Sequence, residues 1–391
     1  MKAILYIEFC NFVDHPLGGH LSFAKHLTTA MKGDIDLVGI TTDGDFPVGE
    51  WQKRVIGGYE YNYYNIKNQI KSFKKPIIPS RIPDYFTLKK HIKGILRHRN
   101  YDFIIVQTPE VLFTIPKVYR SRVILILPGC GNPLLISRYR FARKFAKLYD
   151  KLYFHYAKSV HISLAAADYD DIALYIKRSR GLIKNEKVIQ FPTRYDANIF
   201  KVISKESARN ELSIDKDELT IVTTGRLNWF KGWKFMIDSF DIFQRNHENA
   251  KLYFVGKGED EQKIRDYIEQ MNLSSKVCLA GVHPLPVVAK YLNAADMFVM
   301  GSYFEGWSTS LVEAIACANA CVVTKFSSAH DLVKDGRNGF VQDVRNESGF
   351  AQLMEKALHL DKNVICQFAE DAYSMSVQTM REQLNNIIQF E

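Results

Sequence analysis

The sequence predicts an α/β protein made of two Rossmann-like, doubly wound domains that face a cleft. Three observations lead to this prediction. The chain of 391 residues is too long for one ordinary hydrophobic core, so two domains are the default expectation. Short apolar runs alternate with helical patterns along most of the chain. This alternation breaks between two series of strands near residues 191–205.

The apolar runs form two series, which we predict to be two parallel sheets. The runs are continuous and rich in Ile and Val, as expected for strands that are covered on both faces. Stretches with helical spacing separate them, for example at residues 21–31, 138–157, 233–246 and 259–271. The predicted strands are residues 3–7, 35–40, 103–107, 123–127, 159–162 and 188–191 in the first series, and 220–223, 251–255, 277–280, 297–300 and 321–324 in the second.

The interruption predicts the domain boundary. Residues 192–198 read Pro-Thr-Arg-Tyr-Asp-Ala-Asn and are followed by a polar helix start at Ser204. We therefore expect an N-terminal domain over residues 1–195 and a C-terminal domain over residues 196–371. Ligands of such sheets bind beyond the carboxyl ends of the strands. Residues 43–83 contain many tyrosines and prolines and are predicted to be a long irregular excursion that binds a partner.

The net charge of +9 is unevenly distributed. Residues 1–199 contain 31 Lys and Arg against 17 Asp and Glu, a balance of +14, whereas residues 200–391 contain 21 against 26, a balance of −5. A basic half indicates an anionic partner such as phosphate groups, nucleic acid or a lipid surface. A solvated basic face is the plain alternative.

Cysteine usage and the N-terminus favour a cytoplasmic protein. The six cysteines show no Cys-x-x-Cys spacing, which favours buried, reduced thiols. The first residues, Met-Lys-Ala-Ile-Leu-Tyr-Ile-Glu-Phe, are interrupted by Glu8 and lack a small-residue cleavage site. They are typical of a strand rather than of a signal peptide. No apolar run reaches the ~18 residues that a membrane span needs.

The stretch Tyr303–Ala314, YFEGWSTSLVEA, places Glu305 in a strand-to-helix loop and Glu313 in the first turns of the helix. Hydroxyl residues 308–310 are good N-caps, and the exposed amides at such a helix start bind phosphate. Carboxylates would repel a phosphate, so we expect the two acids to face hydroxyl groups, which they bind strongly. One acid on each side of a diphosphate fits a nucleotide-sugar. The alternative for Glu313 is an ordinary helix-surface acid.

A second motif, Thr224–Trp233, follows a predicted strand and precedes a helix. Gly225 and Gly232 permit a tight loop, and Arg226 and Lys231 place two cations at the carboxyl end of the strand. Such cations would stabilise the charge that develops on a departing nucleoside diphosphate. A basic surface loop is the alternative. Two further glycine motifs, at residues 254–259 and 14–20, are weaker, and the latter lacks the third glycine of a dinucleotide fingerprint.

In this order, the motifs resemble glycosyltransferase family 4, whose members are retaining enzymes with the two-domain GT-B fold. The resemblance is most specific from Gly225 to Phe340. The matching segments are Gly225-Arg226-Leu227 with Lys231-Gly232, the E-x7-E pair Glu305 and Glu313, the turn Val333–Phe340, the interdomain segment Gln190–Asp196 with Phe200, and the strand Val160–Ser163.

The resemblance implies roles for individual residues. Arg226 and Lys231 would bind the donor diphosphate, and with Glu305 they form the expected catalytic set. Glu313 would hold the ribose. The remaining expected donor contacts are Gly306, Trp307 and Ser308 at the sugar, Thr309, Ser310 and Leu311 at the helix start, Gly225, Gly256 and Val282 along the nucleotide, and Gly19 near the phosphate. Enzymes of this kind need neither a metal ion nor a cofactor.

Three departures from the family pattern stand out. The histidine that often follows the strand matching residues 123–127 is missing from Pro128-Gly-Cys-Gly-Asn-Pro133. Cys130 or Asn132 is expected to approach the donor sugar instead. Residues 318–320 replace the usual Gly-x-Pro, and residues 193–195 lack the usual Asn-Gly. The family's C-terminal helix returns to the N-domain, and residues 363–388 are the candidate, with the crossover at about 372–391.

We therefore expect a retaining hexosyltransferase that moves a sugar from a UDP- or GDP-sugar to a glycan or lipid-linked glycan, in the synthesis of a surface polysaccharide such as lipopolysaccharide or capsule. The acceptor should meet the N-domain, where residues 61–101 and 138–158 are strongly basic and favour an anionic membrane surface. The alternatives are a nucleotide-sugar 2-epimerase of the same fold and a non-catalytic binding partner. No nucleic-acid module is recognisable.

Overall fold

A computed structural model of the chain describes residues 2–16, 19–44, 46–70, 81–135 and 140–389. Contacts divide the chain into two compact units, Met1–Thr193 with Met380–Glu391, and Arg194–Thr379. Each unit contains one sheet whose strands are separated by helices. The predicted α/β class with two Rossmann-like parallel sheets is confirmed.

The first unit is built on an eight-stranded sheet in the order β3-β4-β2-β1-β5-β6-β7-β8. Every neighbouring pair is parallel except β3 and β4. The four residues of β1, β5 and β7 and the five of β6 are fully buried, as their continuous apolar runs predict. The strands are β1 (Ile4–Ile7), β2 (Asp36–Thr41), β3 (Trp51–Ile56), β4 (Tyr59–Asn68), β5 (Phe103–Val106), β6 (Val123–Leu127), β7 (Ile162–Ala165) and β8 (Val188–Gln190).

Helices connect these strands and cover the sheet. They are α1 (Gly19–Met31), α2 (Arg81–Arg97), α3 (Pro109–Thr114), α4 (Ala146–Ala157) and α5 (Tyr169–Arg178), with 3-10 segments at Lys117–Arg122, Arg140–Phe145 and Asn185–Lys187. Of the helix predicted over residues 138–157, residues 140–145 form a 3-10 segment and residues 146–157 form α4, while residues 138–139 lie outside the described residues. The strand predicted at residues 159–162 lies three residues later, because β7 pairs with β6 from Ile162 opposite Ile124.

The prediction of an irregular excursion over residues 43–83 is wrong for its central part. Strands β3 and β4 form an antiparallel hairpin in which Ile56 pairs with Tyr59 across Gly57-Gly58. Both glycines have positive φ, at 58° and 85°, which is the conformation that two-residue hairpin turns require. Tyr61 and Tyr63 point into the core, so the tyrosines form a half-buried strand. Residues 45 and 71–80 lie outside the described residues.

The second unit is built on a six-stranded, all-parallel sheet in the order β11-β10-β9-β12-β13-β14. Its strands are β9 (Leu219–Thr224), β10 (Ala250–Val255), β11 (Val277–Gly281), β12 (Met297–Met300), β13 (Ala320–Thr324) and β14 (Gly339–Gln342). Five were predicted, and β14 was not, because its four residues follow a turn motif without a long apolar run.

The helices of this unit are α6 (Lys205–Leu212), α7 (Trp233–Gln244), α8 (Glu261–Gln270), α9 (Leu285–Ala294), α10 (Thr309–Ala316), α11 (Ala329–Leu332), α12 (Glu347–Ala357) and α13 (Lys362–Asp371), with 3-10 segments at Trp229–Lys231 and Ala372–Met375. Its core joins apolar side chains of the central strands with those of α7, α8 and α12.

The chain ends in α14 (Val377–Gln389), whose residues from Met380 onward belong to the first unit. There Arg381 pairs with Asp34, and Lys2 Nζ donates to the carbonyl of Ile388 at 3.1 Å. Residues 363–371, which were predicted to be part of the returning segment, lie in α13 of the second unit. Within the described ranges, no helix combines the length and the apolar composition that crossing a bilayer requires.

Candidate functional site

The carboxyl ends of β9, β10 and β12 are packed against one another through glycines. Gly232 has φ +69°, and a Cβ on it would lie 1.8 Å from the carbonyl oxygen of Gly301. A Cβ on Gly256 would lie 1.9 Å from the carbonyl oxygen of Gly225, which itself has φ +130°. Side chains at these positions would force the backbones apart. The glycines therefore hold the three strand ends close together, with the loop Thr224–Trp233 between them.

Lys231 and Glu305, which were predicted in separate motifs, meet directly. Lys231 Nζ lies 2.5 Å from Glu305 Oε1, and Ser302 Oγ donates to the same oxygen at 2.8 Å. Only 20% of the lysine side chain and 15% of the glutamate side chain are exposed. Shielding from water strengthens such a pair relative to a surface ion pair. Lys231, Arg226, Gly225, Thr224 and Ser302 line a shallow depression at this edge.

Arg226 also has a carboxylate partner, Glu259, whose Oε2 accepts from Arg226 Nε at 3.0 Å. Both side chains are largely exposed. Glu259 was not among the predicted site residues. It follows the Gly-x-Gly at the end of β10, and β10 is the parallel neighbour of β9. Because neighbouring parallel strands end at the same edge of a sheet, the sequence could have indicated that Glu259 lies near Arg226.

Helix α10 begins as predicted, with Ser308 at its N-cap. Ser308 Oγ accepts from the amide of Leu311 at 3.4 Å, and Ser310 Oγ lies 3.6 Å from the position of a Cβ on Gly225. The start of α10 thus reaches the loop after β9. Burial raises the pKa of Glu313 to about 8, and the nearby Lys231 ammonium opposes this shift. Glu313 is therefore close to Lys231 and mostly protonated at neutral pH.

Some of the backbone amides that are predicted to contact the donor form hydrogen bonds within the protein. The amide of Ser308 donates to Ser328 Oγ at 3.1 Å, so it is not directed at a sugar in this state. The amide of Leu311 donates to the N-cap serine, and its side chain is buried. Trp307 is buried, whereas Val282 is exposed after β11. The other predicted positions in the second unit are Gly256 at the end of β10, Gly306 in the loop before α10 and Thr309 at the first turn of α10.

Cys130 and Asn132, which are expected to approach the donor sugar, both make contacts within the first unit. Cys130 belongs to the core of the first unit, and burial raises the pKa of its thiol to about 12. Asn132 Nδ2 donates to the carbonyl of Ala146 at 3.0 Å and to Asp150 Oδ1 at 2.9 Å, and its Oδ1 accepts from the amide of Leu134. These hydrogen bonds of Asn132 anchor the loop on α4.

The backbone of the same loop borders a solvent-accessible cavity in the first unit. Tyrosine rings, two arginines, a histidine and a glutamine surround it: His20, Arg81, Gln107, Tyr149, Tyr153, Tyr175 and Arg178, with Gly129 and Gly131 of the loop. Gly19, predicted to approach the phosphate, is the first residue of α1, directly before His20. The cavity thus lies where the ends of β5 and β6 meet the start of α1.

Ionisable groups cluster beside this cavity. Burial raises the pKa of Glu8 to about 8, although its Oε1 accepts from the amide of Phe9 and Arg81 lies nearby. Burial and the Arg81 guanidinium lower the pKa of His20 to about 4. Both groups are therefore mostly neutral at pH 7. Across the described part of the chain, no cluster of three or more His, Cys, Asp or Glu side chains is arranged to hold a metal ion.

Residues 204–374 match the family described as Glycosyl transferases group 1. One relative is N-acetylgalactosamine-N,N'-diacetylbacillosaminyl-diphospho-undecaprenol 4-alpha-N-acetylgalactosaminyltransferase of Campylobacter jejuni. It is 26% identical over 302 residues, which cover 75% of this chain and 76% of the relative.

Two solved structures share the fold over almost the whole chain. Sucrose-phosphate synthase from Thermosynechococcus elongatus has a TM-score of 0.77 at 15% identity and covers 99% of this chain and 98% of its own. HepE from Anabaena, in complex with UDP and glucose, has a TM-score of 0.71 at 16% identity and covers 100% of both chains. This chain therefore has the GT-B fold, carries a glycosyltransferase group 1 domain over residues 204–374, and is related to glycosyltransferases.

Proposed function

We propose that this chain is a retaining, metal-independent hexosyltransferase that moves a sugar from a UDP- or GDP-sugar to a glycan or lipid-linked glycan in surface-polysaccharide synthesis, such as that of lipopolysaccharide or capsule. The observation that carries the proposal is the meeting of Lys231, Glu305 and the start of α10 at one sheet edge. The resemblance to family 4 and the UDP complex of HepE support it.

The residue roles follow from charge and position. Arg226 and Lys231 bind the donor diphosphate, which replaces Glu259 and Glu305 as their partner. Glu305, once released, accepts hydrogen bonds from the donor sugar, and Glu313 accepts from the ribose. The bond from the anomeric carbon to the leaving phosphate breaks while the acceptor oxygen bonds on the same face. The acceptor proton passes to the departing phosphate, whose charge the two cations stabilise.

A thermal-shift panel of nucleotides and nucleotide-sugars tests the donor assignment. UDP or GDP and the matching sugar donor are expected to raise the melting temperature, whereas the double variant Arg226→Ala/Lys231→Ala responds to neither. Lys216→Ala, a lysine in the loop before β9 of the same unit, is the matched control. The proposal would be contradicted if no compound in the panel raised the melting temperature of the wild type. Nuclear magnetic resonance of the product's anomeric proton then tests retention.

The cavity of the first unit is the proposed acceptor site. Gln107 Nε2 and His20 Nδ1 line it and have no hydrogen-bond partner among the described residues. The charges of Arg81 and Arg178 are balanced by Glu110 and Asp150 at 3.7 and 3.3 Å. The cavity therefore combines aromatic rings, balanced charges and polar atoms that can still form hydrogen bonds. This combination suits a hydroxylated ligand. We expect Gln107→Ala to raise the KM for the acceptor and to leave the KM for the donor unchanged.

A specific surface supports membrane attachment of the first unit. Phe141, Phe145, Leu148 and Leu152 are exposed at spacings of three and four residues along the 3-10 segment and α4; we call them the α4 stripe. Exposed cations flank the stripe at Arg143, Lys144, Lys147 and Lys151. This combination is typical of helices that lie in the interface of an anionic bilayer. Residues 71–80 and 136–139, which contribute to the predicted basic segments, lie outside the described residues.

Co-sedimentation with vesicles tests this attachment. The wild type should sediment with vesicles containing phosphatidylglycerol and much less with pure phosphatidylcholine. Leu148→Ser/Leu152→Ser should abolish sedimentation, whereas Leu174→Ser on α5, equally exposed, should not. Equal sedimentation of all three proteins would refute a role for the α4 stripe.

The epimerase and binding-partner alternatives receive no support from the relatives reported above. An epimerase would convert a free nucleotide-sugar without any acceptor. Incubation of the donor alone, followed by chromatography of the nucleotide-sugar, separates the two activities, because a transferase returns the donor unchanged or hydrolyses it slowly.

A further inference from the structure

We propose that Trp229, Tyr303 and Phe304 form a platform that receives a sugar ring of the acceptor next to the site of transfer. We call these three side chains the aromatic platform. The inference rests on the proposed function and narrows it, since it requires an acceptor that presents carbohydrate, and not only lipid, close to the donor sugar.

The three rings form a continuous exposed surface. The centroid of Trp229 lies 5.9 Å from that of Tyr303 and 6.4 Å from that of Phe304. The exposed fractions are 61% for Trp229, 43% for Tyr303 and 57% for Phe304. An exposed cluster of large rings is costly to leave in water and usually marks a binding site.

The platform is attached to the two residues that carry the proposed chemistry. Trp229 lies two positions before Lys231, and Phe304 directly precedes Glu305. The two loops are joined by the hydrogen bond from the amide of Tyr303 to the carbonyl of Phe230, at 2.7 Å, and by the Lys231–Glu305 pair. A ligand on the rings is therefore next to the diphosphate and sugar end of the donor.

One ring of the platform is fixed before any ligand arrives. The guanidinium of Arg345 lies 3.7 Å from the centroid of Tyr303. Arg345 also donates to the carbonyl of Gly301 at 2.9 Å and to that of Ser302, so it is anchored on the backbone that carries Tyr303. A ring held in this way loses little freedom on binding, which favours affinity.

A sugar ring fits this place better than a nucleobase or a bilayer. The nucleoside end of the donor is assigned to Glu313 on α10 and to the end of β10, and none of the three rings belongs to those elements. A bilayer would have to desolvate Lys231 and Glu305 together with the rings, which is costly. Sugars present apolar C–H faces rimmed by hydroxyl groups, which match aromatic faces beside a carboxylate.

The test uses the full-length protein and a printed array of microbial oligosaccharides, probed in the presence of saturating UDP. The double variant Trp229→Ala/Phe304→Ala is compared with wild type and with Tyr373→Ala, a similarly exposed aromatic residue of the same unit. Wild type and Tyr373→Ala should bind the same oligosaccharides. The double variant should bind them at least about tenfold more weakly and should keep the melting-temperature shift that UDP produces.

The outcomes separate this inference from the proposed function. A wild-type protein that responds to UDP but binds no oligosaccharide overturns the platform and leaves the donor assignment intact. Equal binding by wild type and the double variant, or equal loss in Tyr373→Ala, also overturns it. A wild-type protein that responds to no nucleotide contradicts the proposed function, and the inference falls with it.

Discussion

Lys231 and Glu305 come from loops 74 residues apart, and Nζ of the lysine lies 2.5 Å from Oε1 of the glutamate. The same two residues are the proposed ligands of the donor diphosphate and the donor sugar. The ion pair therefore uses the same ammonium and carboxylate groups that are proposed to bind the donor. Under these roles, donor binding exchanges the ion pair for two contacts with the ligand.

Glu305→Gln should separate binding from turnover. The neutral amide releases Lys231, so the affinity for UDP is expected to stay the same or to rise. Transfer should fall about 10²–10³-fold, because a charged acceptor of sugar hydrogen bonds is lost in the transition state. Calorimetric titration with UDP and initial rates of transfer check both parts. A matched loss of affinity and turnover would contradict the proposed exchange.

Lys231→Met should show the opposite pattern in binding. The variant removes one diphosphate cation and leaves Glu305 beside the phosphate site, where Ser302 Oγ still donates to its carboxylate. We expect the affinity for UDP to fall about 10- to 100-fold, in line with the loss of a shielded charge-assisted contact. Lys234→Met on α7, whose side chain is paired with Asp238, is the control. If Lys231→Met binds UDP as tightly as the wild type, Lys231 does not contribute to donor binding.

Nucleotide affinity should depend on pH through Glu313. Its pKa is raised to about 8, so only about a tenth of the molecules carry the charged form at pH 7. If ribose binding requires the carboxylate, UDP affinity should rise by about tenfold between pH 7 and pH 9. Titration calorimetry across this range should give a flat profile for Glu313→Gln. A wild-type profile as flat as that of the variant would show that the ribose does not need the ionised acid.

Stability should fall as the pH rises from 6.5 to 8, because the carboxyls of buried Glu8 and partly exposed Glu313 hold protons in the native state. The pKa values of Glu8 and Glu313 are both raised to about 8, well above those of an unfolded glutamate. The native state therefore binds more protons than the unfolded state, and the free energy of unfolding decreases with pH in this window.

Each of these two groups contributes at most about 2 kcal/mol between pH 6.5 and 8. His20, with a pKa lowered to about 4, is neutral in both states over most of this range and adds little. Denaturation of Glu8→Gln in urea at several pH values should show a weaker decrease than the wild type. If the variant loses stability as steeply as the wild type, the Glu8 carboxyl is not the group that holds the proton.

Gly232→Ala should be far more damaging than Gly336→Ala. The two glycines have nearly equal φ, +69° and +73°, so both substitutions pay a similar backbone strain of about 1 kcal/mol. A Cβ on Gly232 would lie 1.8 Å from the carbonyl of Gly301, whereas nothing lies within 4 Å of one on Gly336. We expect a loss of roughly 3 kcal/mol or more at Gly232. Equal losses in urea denaturation would show that the strand ends are not tightly packed.

The buried parallel strands could be predicted from the sequence because their signal is local. Continuous apolar runs such as residues 123–127 and 297–300 match β6 and β12 residue for residue. The β3–β4 hairpin is not predicted, because the prolines and tyrosines around it indicate an irregular segment. Its Gly57-Gly58 turn and alternating tyrosines nevertheless carry a local signal for a hairpin. Strand β14 reads Gly-Phe-Val-Gln, and its two large apolar residues do not form a run that indicates a buried strand.

The candidate site was predictable as a set of motifs but not as a set of contacts. Arg226, Lys231, Glu305 and Glu313 follow strand ends or a helix start, so their placement at one edge follows from parallel topology. Which carboxylate meets which cation depends on side-chain packing between loops that are distant in sequence. For the same reason, the burial of Cys130 and the anchoring of Asn132 on α4 were not foreseen.

Arg226 is paired with Glu259 and Lys231 with Glu305, so two carboxylates balance the two cations. Under the proposed roles, a ligand with two linked phosphate groups can compensate both cations at once, whereas orthophosphate carries only one such group. Internal neutralisation of this kind would favour a diphosphate over a single phosphate.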